Sequence, residues 1–529
     1  MSMSDGRGFN RRALLRGFAG VSLAATLPGA LAACGGSGAG PLAQSTAPSV
    51  EPKRGGRMRA AFIGGSNETA NILKSTNTPI DYVRTRVVYD VLCDIDADGK
   101  PTLVLAEEIA PNADGSQWTI RLREGITFHD GRTMTSEDVL HTLRTYVDQQ
   151  SNTAPLLMDI DLANAKRQDD RTLVLPMLRP HGFLDLALTQ GVFVFSKDTT
   201  DFDKAIGSGP FTVDRLEPGK GGLLKRNPNY WRPEGGPYLD ELELLSIADP
   251  EARLNALKAG QLDYAASIPL TSARVERDNT DVKLFVPPKW EWANFGASMK
   301  RTKEPFTDPR ITQALRYAVD RQKMVDNVTL GFGELGNDLF GKHLPYYAED
   351  LPQREYDPER AKKLLKDAGM SDLKLKIRTS DYEYGLTEGA VAFAEHAKAA
   401  GITIELDKVP AADFLADYKV FIGAQFQSAN RKPRPLPLDV LFFYGSDALL
   451  PFTGLAGEKV DQLAASVRTA VTEEQRRTSM GDLQELLSEE GGDLVWARAP
   501  ICSAGTPKVN GVKSLGYPGF PSFRDAFLA

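Results

Sequence analysis

The chain has 529 residues, more than one compact core usually holds, so two to four domain-sized lobes are expected. Apolar residues make up 42% and charged residues 25%, which is typical of a folded, water-soluble protein rather than a disordered or multi-spanning one. The net charge of −7 argues against sequence-wide nucleic-acid binding, and three cysteines are too few for a disulfide scaffold or a Cys-rich zinc protein.

The N-terminus has the pattern of an export signal. Four arginines, the last being Arg16, precede an apolar run of small residues over 17–33. The segment from Asn10 to Arg16 resembles a twin-arginine signal, which exports folded proteins, while an ordinary secretory signal remains the alternative. We therefore expect residues 1–33 to be a signal peptide.

The sequence Leu31-Ala32-Ala33-Cys34 resembles the lipobox of bacterial lipoproteins. Cleavage before Cys34 would leave its thiol as the lipidation site, and two or more acyl chains suffice for stable attachment. A glycine-rich stretch follows, so residues 34–53 are predicted to be a flexible tether. These features predict an extracytoplasmic location, lipid-anchored to the cell membrane on its periplasmic or outer face. A small-residue Cys buried at the end of the apolar run is the alternative.

Periodicity, caps and breakers predict the elements that follow in chain order. Strands are expected at 55–64, 118–122, 172–176, 191–195, 239–247, 373–377, 402–406 and 420–430. Helices are expected at 78–92, 135–146, 251–259, 308–328, 357–369 and 385–400. Strands and helices alternate, so the predicted class is α/β, or mixed α+β.

Several blocks occur in an order that resembles the family 5 extracellular solute-binding proteins, the peptide- and nickel-type receptors of ABC importers. The resemblance runs from about Arg54 to the C-terminus. The matching blocks lie at 106–107, 114–131, 135–139, 207–211, 227–231, 257–263, 305–311, 314–321 and 357–365. They are scaffold rather than chemistry, so His129 within them is interpreted as a turn or packing residue rather than a ligand.

This resemblance implies a two-lobe hinged periplasmic-binding-protein-like fold (type II, cluster C) with an inserted subdomain. Lobe I would comprise 54–92, 203–297 and 495–529, the inserted subdomain 93–202, and lobe II 298–494. A solute would bind between the lobes, which close on it and deliver it to ABC permease subunits in the membrane. The resemblance implies a monomer that needs no cofactor and binds no nucleic acid.

Three candidate ligand contacts precede lobe II. Asp90 falls where some peptide receptors of the family carry an acid that could meet a ligand cation, and a helix-surface or turn acid is the alternative. Trp290 and Trp292 would share one face of an extended segment and could line the cleft. A packed hinge is the alternative for both tryptophans.

The strand 420–430 ends where peptide binders of the family carry aromatic-x-x-Asp, whose Asp pairs with the peptide amine. Phe426 fits the aromatic position, but Ala429 occupies the position of the acid. Ser428, Asn430 and Arg431 are the other predicted contacts here. The cluster Arg431-Lys432-Pro433-Arg434 could attract an anion, and a solvated loop is the other interpretation. The solute is therefore predicted to be oligopeptide-like, with an opine, an oligosaccharide or a chelated metal such as nickel as alternatives.

An enzyme is not predicted, because the sequence contains neither a Gly-x-Ser-x-Gly elbow nor a His-Glu-x-x-His motif. The segment 331–336 matches a dinucleotide fingerprint but follows a helix, so we interpret it as a chance match. The five histidines lack ligand spacing, which argues against direct metal coordination. Cys93 and Cys502 could form a disulfide outside the cell or remain two buried thiols, and the sequence favours neither.

Overall fold

The computed structural model describes residues 50–74, 78–151, 153–232, 234–514 and 520–529. The predicted signal peptide, Cys34 and most of the predicted tether lie outside these ranges.

The strands are, in chain order, β1 (Arg57–Phe62), β2 (Cys93–Ile95), β3 (Pro101–Leu103), β4 (Ala106–Pro111), β5 (Gln117–Leu122), β6 (Lys166–Arg167), β7 (Thr172–Pro176), β8 (Phe211–Glu217), β9 (Gly221–Arg226), β10 (Glu241–Ser246), β11 (Tyr264–Ala265), β12 (Lys283–Phe285), β13 (Ala293–Met299), β14 (Glu334–Leu335), β15 (Lys374–Thr379), β16 (Thr403–Lys408), β17 (Phe426–Arg431), β18 (Asp493–Ala499), β19 (Ser503–Gly505), β20 (Val509–Asn510), β21 (Lys513–Ser514), β22 (Pro521–Ser522) and β23 (Phe527–Leu528).

The α-helices are α1 (Pro79–Val88), α2 (Ser136–Asp148), α3 (Leu184–Leu188), α4 (Pro250–Lys258), α5 (Leu270–Glu276), α6 (Pro309–Tyr317), α7 (Arg321–Asn327), α8 (Pro358–Asp367), α9 (Leu386–Ala397), α10 (Tyr418–Gly423), α11 (Leu436–Phe443), α12 (Glu458–Thr469) and α13 (Glu473–Glu490). Among the described helices, none combines the length and apolar character that a membrane span requires.

The described strands form two large sheets. The first sheet has the order β12-β19-β11-β1-β10-β9-β8, and β1 runs parallel to both β10 and β11. The second sheet has the order β14-β18-β13-β17-β15-β16, and β15 runs parallel to both β16 and β17. Strands β4, β5, β6 and β7 form a separate antiparallel sheet. The predicted mixed α/β class is confirmed.

Two apolar cores hold these layers together. One joins the first sheet to the four-stranded sheet and to α12 and α13, and the other lies between the second sheet and helices α6, α8 and α9. The residue patterns of single elements explain which of their faces pack on the cores. In β5, exposed and buried residues alternate, as a half-buried strand must. In α8, Asp357 accepts the backbone N–H of Arg360 and Pro358 occupies the first turn, which fixes the start of the helix.

The chain passes between the two large sheets twice, through 286–292 and through 500–502. The predicted lobe boundaries at 297/298 and 494/495 fall inside β13 and β18, which both belong to the second sheet. The boundaries themselves stay predictions.

Three predicted elements are wrong. The helix expected over 308–328 is two helices, because Asp320 accepts the backbone N–H of Lys323 and starts α7 anew. The first half of the strand expected at 420–430 is helical, since Asp417 caps α10 before β17 begins. The segment 191–195 is buried but forms only a single bridge between Val91 and Phe193, because a short apolar run packs equally well without a ladder.

The two cysteines in the described part of the chain are buried and unpaired. Cys93 donates its thiol to the carbonyl oxygen of Asp185 at 3.2 Å, and Cys502 lies in the other core. Of the two interpretations of this pair, the buried free thiols are confirmed and the disulfide is wrong.

Candidate functional site

A cavity of about 380 Å³ lies at one end of the first sheet, beside the connections to the second sheet. Its lining includes the residues directly after β11 (Ala266 and Ser267), strand β12, and Ser503 at the start of β19. Lys432, the residue after β17 in the second sheet, also lines it. The cavity is therefore bounded by segments from both large sheets.

The topology explains why these segments meet. Crevices at the carboxyl ends of parallel strands are where α/β sheets present loops to a ligand. Ala266 and Ser267 follow the carboxyl end of β11, which is parallel to β1. Lys432 follows the carboxyl end of β17, which is parallel to β15.

The polar groups of the cavity differ in how far the protein satisfies them. Lys283 donates to the carbonyl oxygen of Val509 and to Oδ1 of Asn510, both at 3.0 Å, and burial lowers its pKa. The backbone N–H of Ser267 donates to Oγ of Ser503 at 3.2 Å. Lys432, by contrast, places its Nζ 4.9 Å from the ring centroid of Phe520, a cation–π contact. Its ammonium is the more available of the two.

The predicted contacts at the start of β17 are core residues. Phe426 is buried, with its ring centroid 5.5 Å from that of Phe306 and 6.4 Å from that of Phe393. Ser428 is also buried and donates to Oγ1 of Thr379 at 2.8 Å. These side chains fasten β17 to its neighbours.

Ala429 and Asn430 are half-buried and lie opposite Gly296 and Phe295 of β13. Together with Arg431, they are the predicted contacts on β17 that stay partly accessible. No acid stands in this stretch from Phe426 to Arg431.

Arg431 faces inward, and its guanidinium is enclosed by aromatic rings. Nη2 donates to Oγ of Ser298 at 2.6 Å, and Nη1 lies 3.3 Å from Oδ1 of Asp493. The guanidinium carbon is between 4.4 and 4.9 Å from the ring centroids of Phe340, Phe443 and Phe452.

Arg434 is enclosed in the same way. Its Nε lies 3.4 Å from Oδ1 of Asp439, and its guanidinium stacks 4.1 Å from the ring centroid of Phe442. The interpretation of 431–434 as a solvated loop is wrong, because the two arginine side chains are each only 12% exposed and lie against acids and aromatic rings. Lys432 alone of the three cations reaches the cavity.

Asp90 is buried and accepts three hydrogen bonds. Ser208 Oγ donates at 3.2 Å, Tyr230 OH at 3.2 Å and Trp231 Nε1 at 2.8 Å. Burial raises the pKa of Asp90, and these donors together with Arg232 oppose the rise. The interpretation of Asp90 as a surface or turn acid is wrong. The carboxylate of Asp90 thus links the end of α1 to the blocks at 207–211 and 227–231, which are far from it in the chain. It also borders a second cavity of about 330 Å³.

The prediction that Trp290 and Trp292 share a face of an extended segment is wrong. Residues Lys289–Glu291 form a single 3-10 turn, so the two side chains do not alternate as in a strand. Both are buried: Trp290 donates its indole N–H to the carbonyl of Ala97 at 2.8 Å, and Trp292 donates to that of Pro287 at 3.1 Å. The packed-hinge alternative fits this geometry.

His129 packs in a turn, as its predicted role requires. Its Nε2 lies 3.0 Å from the carbonyl oxygen of Gly209, and its Nδ1 accepts the backbone N–H of Gly207. Burial lowers its pKa. In the ranges that the structure describes, no group of three or more His, Cys, Asp or Glu side chains is arranged to hold a metal ion.

Sequence reasoning missed Glu383. It lies in the segment that follows β15, four residues beyond the end of that strand. Burial raises the pKa of Glu383, and the positive charge of Lys432 acts in the opposite direction. The available signal was an acid between the strand predicted at 373–377 and the helix predicted at 385–400.

Comparisons with known proteins bear on the whole arrangement. A family model described as bacterial extracellular solute-binding proteins, family 5 Middle, matches residues 100–436. The glutathione-binding protein GsiB of Escherichia coli (strain K12) is 27% identical over 312 residues, which cover 58% of this chain and 60% of GsiB. The aligned part thus spans less than two thirds of the length of this relative.

Two solved structures are similar over most of the chain. DppA from Helicobacter pylori, in complex with peptide STSA, has a TM-score of 0.75 at 19% identity, covering 90% of this chain and 98% of DppA. AgaA from A. tumefaciens R10, in complex with agropinic acid, has a TM-score of 0.73 at 21% identity, covering 90% of this chain and 99% of AgaA. The predicted two-lobe, type II binding-protein fold is confirmed.

Proposed function

This chain belongs to the bacterial extracellular solute-binding proteins of family 5, and on that premise we propose that it is the substrate-binding component of an ABC importer. It captures an oligopeptide-like solute between two lobes and delivers it to permease subunits in the membrane. The observation that carries the proposal is the cavity of about 380 Å³, to which strands of the first sheet and Lys432 beside the second sheet both contribute.

The two connections between the sheets, 286–292 and 500–502, are suited to act as the hinge. The 3-10 turn within the first connection is braced by Trp290, whose indole reaches Ala97 in the β2–β3 turn. A solute shifts such a hinge toward closure only by the difference between its affinities for the closed and open forms. A cavity whose walls come from both sides of the hinge supplies that difference in affinity. In the closed form the solute contacts both walls at once, whereas in the open form it contacts only one.

We further propose that the protein is exported and held at the membrane by lipidation of Cys34. The arginine-rich start, the apolar run and the lipobox-like sequence support this. A lipid anchor raises the effective concentration of the receptor near its permease. The protein acts as a monomer and leaves its solute chemically unchanged.

The relative GsiB is described as glutathione-binding, and glutathione is a tripeptide, which supports the peptide-like class. Ala429 favours a second candidate: a receptor for a non-peptide solute such as an opine, an oligosaccharide or a chelated metal such as nickel. A methyl side chain cannot bind an ammonium group as a carboxylate does.

Native mass spectrometry of the full chain, purified from the membranes of its own host, tests the proposed function. We expect a bound small molecule that is released on denaturation and has the mass of a short peptide. A non-peptide mass would select the second candidate. Protein that carries no small molecule and binds none from an extract of the growth medium would contradict both.

A further inference from the structure

A basic pocket of about 540 Å³ lies on the second sheet, at the opposite end of β17 from the cavity of about 380 Å³. Phe426, the first residue of β17, lines the basic pocket, whereas Lys432, the residue after the strand, lines the cavity. Six residues of extended chain separate these two positions by about 20 Å. The basic pocket is therefore not part of the cleft in which the solute is proposed to bind.

The lining of the basic pocket is strongly positive. It contains four cations and a single acid, Asp407; the cations are Lys303, Lys376, Arg378 and Lys419. The chain as a whole has a net charge of −7, so this concentration of positive charge departs from the rest of the molecule. Several cations around one concave surface favour an anion that carries more than one charge.

Three elements bring these cations together. Lys376 and Arg378 stand two residues apart on β15, so they share the face of the strand that does not pack on the core. The connection from β16 to β17 packs on that face, because the ring of Phe414 lies against Arg378 and α10 follows with Lys419. Lys303 comes from the turn after β13.

The three lysines are incompletely satisfied within the chain. Nζ of Lys303 donates to the carbonyl oxygen of Gly423 at 2.7 Å, which occupies one of its three N–H groups. Nζ of Lys376 lies 3.4 Å from Oδ1 of Asp407, but these side chains are 61% and 48% exposed, so the pair is weak. Lys419 is exposed, and among the described residues its ammonium has no ion-pair partner.

Arg378 is held in place but retains an unused donor. Its Nη2 donates to the carbonyl oxygen of Phe414 at 2.9 Å, and its guanidinium lies 4.5 Å from the centroid of that ring. Its Nη1 is buried and has no hydrogen-bond partner in the part of the chain that the structure describes. Burial lowers the pKa of Arg378, and the charge of Asp407 opposes this. A buried donor without an acceptor is destabilising, so an anion in the pocket is favoured.

The rest of the lining includes apolar surface. Val420, Ala424 and Phe426 contribute to it, and Val420 is 55% exposed. A ligand that fits the basic pocket therefore combines an anionic group with a compact apolar body.

We propose that the basic pocket is a second binding site, and that it takes a phosphomonoester with a compact organic group. Nη1 of Arg378 donates to a phosphate oxygen, Lys376 and Lys419 neutralise the two negative charges, and Val420 contacts the organic group. A soluble organic phosphate and the terminal phosphate of a phosphatidic acid headgroup share this chemistry. The site is independent of solute capture in the cleft.

Calorimetric titration of the full-length protein at constant ionic strength tests the chemical class. The probes are phenyl phosphate, inorganic phosphate and benzoate, which shares the ring of phenyl phosphate but carries a single charge. Phenyl phosphate should bind at least about tenfold more tightly than benzoate, the difference expected for one charge-assisted hydrogen bond. It should also bind more tightly than inorganic phosphate, which lacks the apolar body.

Two variants and one control assign the site. Arg378→Lys keeps the charge but loses the planar fork, and it should weaken binding of phenyl phosphate about tenfold. Lys419→Met should weaken binding about fivefold. Lys374→Met is the matched control, since Lys374 is an exposed lysine on the same face of β15 that does not line the pocket. It should bind phenyl phosphate as the unsubstituted protein does, and unfolding midpoints establish that all three variants fold.

A competition experiment separates the two sources of the phosphate. Phosphatidylcholine vesicles that contain phosphatidic acid displace bound phenyl phosphate if the headgroup is accepted, and vesicles of phosphatidylcholine alone do not. Displacement identifies a lipid headgroup as a ligand, and its absence identifies soluble organic phosphates.

The inference is overturned if benzoate and phenyl phosphate bind equally, or if Arg378→Lys binds phenyl phosphate as tightly as the unsubstituted protein. It is also overturned if phenyl phosphate expels the solute that the protein retains from its host, measured by native mass spectrometry, because the anion would then occupy the cleft. All three results leave the proposed function standing, since that depends on the retained solute itself.

Discussion

At the scale of single residues, the basic cluster after β17 illustrates how burial changes the role of a charge. Arg431 is paired with Asp493, and Asp493 also accepts the hydroxyl of Tyr444 at 2.9 Å. Arg434 is paired with Asp439. In sequence these arginines resemble a solvated loop, because the acids and rings that enclose them come from four segments, near 340, 440, 452 and 493, and only the one near 440 is close in the chain.

Asp439 makes stability depend on pH in a specific direction. Burial raises its pKa to about 7, although Arg434 and Arg431 oppose the shift. An aspartate in an unfolded chain titrates near 3.9, so between about pH 4 and 7 the folded state holds more protons than the unfolded state. The stabilisation from this group is therefore complete at the acid end of that window and is lost as the pH rises through it.

Relative to Asp439→Asn, which does not titrate, the natural protein should lose stability from pH 5 to pH 7 by at most about 1.4 kcal/mol per pH unit. Denaturant unfolding at several pH values measures this difference. The exposed Asp447→Asn serves as the control and should give a flat difference. A natural protein that gains stability relative to Asp439→Asn over this range would contradict the assignment.

At the scale of elements, local signals predicted those parts whose packing is repetitive. The elements β15, α9 and β16 were predicted in this order from periodicity and are confirmed, and the structure pairs the two strands in parallel. The break in the helix predicted at 308–328 was missed because apolar residues continue on one helix face across it. The break is marked in the sequence by only one capping side chain. Helix α10 was missed because its own residues are typical of a strand, and only the capping side chain of Asp417 before it indicates a helix.

Asp320 is the residue that starts α7, so its removal tests this account of the interruption. Asp320→Ala should lower the free energy of unfolding by about 1 kcal/mol, the usual loss for an N-cap aspartate. Its ion pair with Lys323 adds little, since the lysine is exposed. Gln322→Ala, an exposed change one residue inside the same helix, is the control and should have almost no effect. Equal effects of the two changes on the denaturation midpoint would rule out the cap.

At the scale of the whole molecule, the fold class and the family were readable from the sequence because many short blocks occur in one order. The site was not, since the walls of its cavity come from segments near 265, 285, 432, 503, 512 and 520 that meet only after folding. Asp90 and Phe426 were chosen as contacts from the family resemblance, and Trp290 from alternation along an expected extended segment. The structure uses Asp90 and Trp290 to tie distant segments together and Phe426 to fasten β17 within the core.

The central claim is that two lobes close around a solute and later release it chemically unchanged. Small-angle X-ray scattering, with the solute recovered afterwards and weighed by mass spectrometry, tests it in one experiment. We predict that the radius of gyration falls when a solute that the protein binds is added to ligand-free protein, and that the solute is recovered intact. A radius of gyration that does not change while the solute is consumed would contradict the claim.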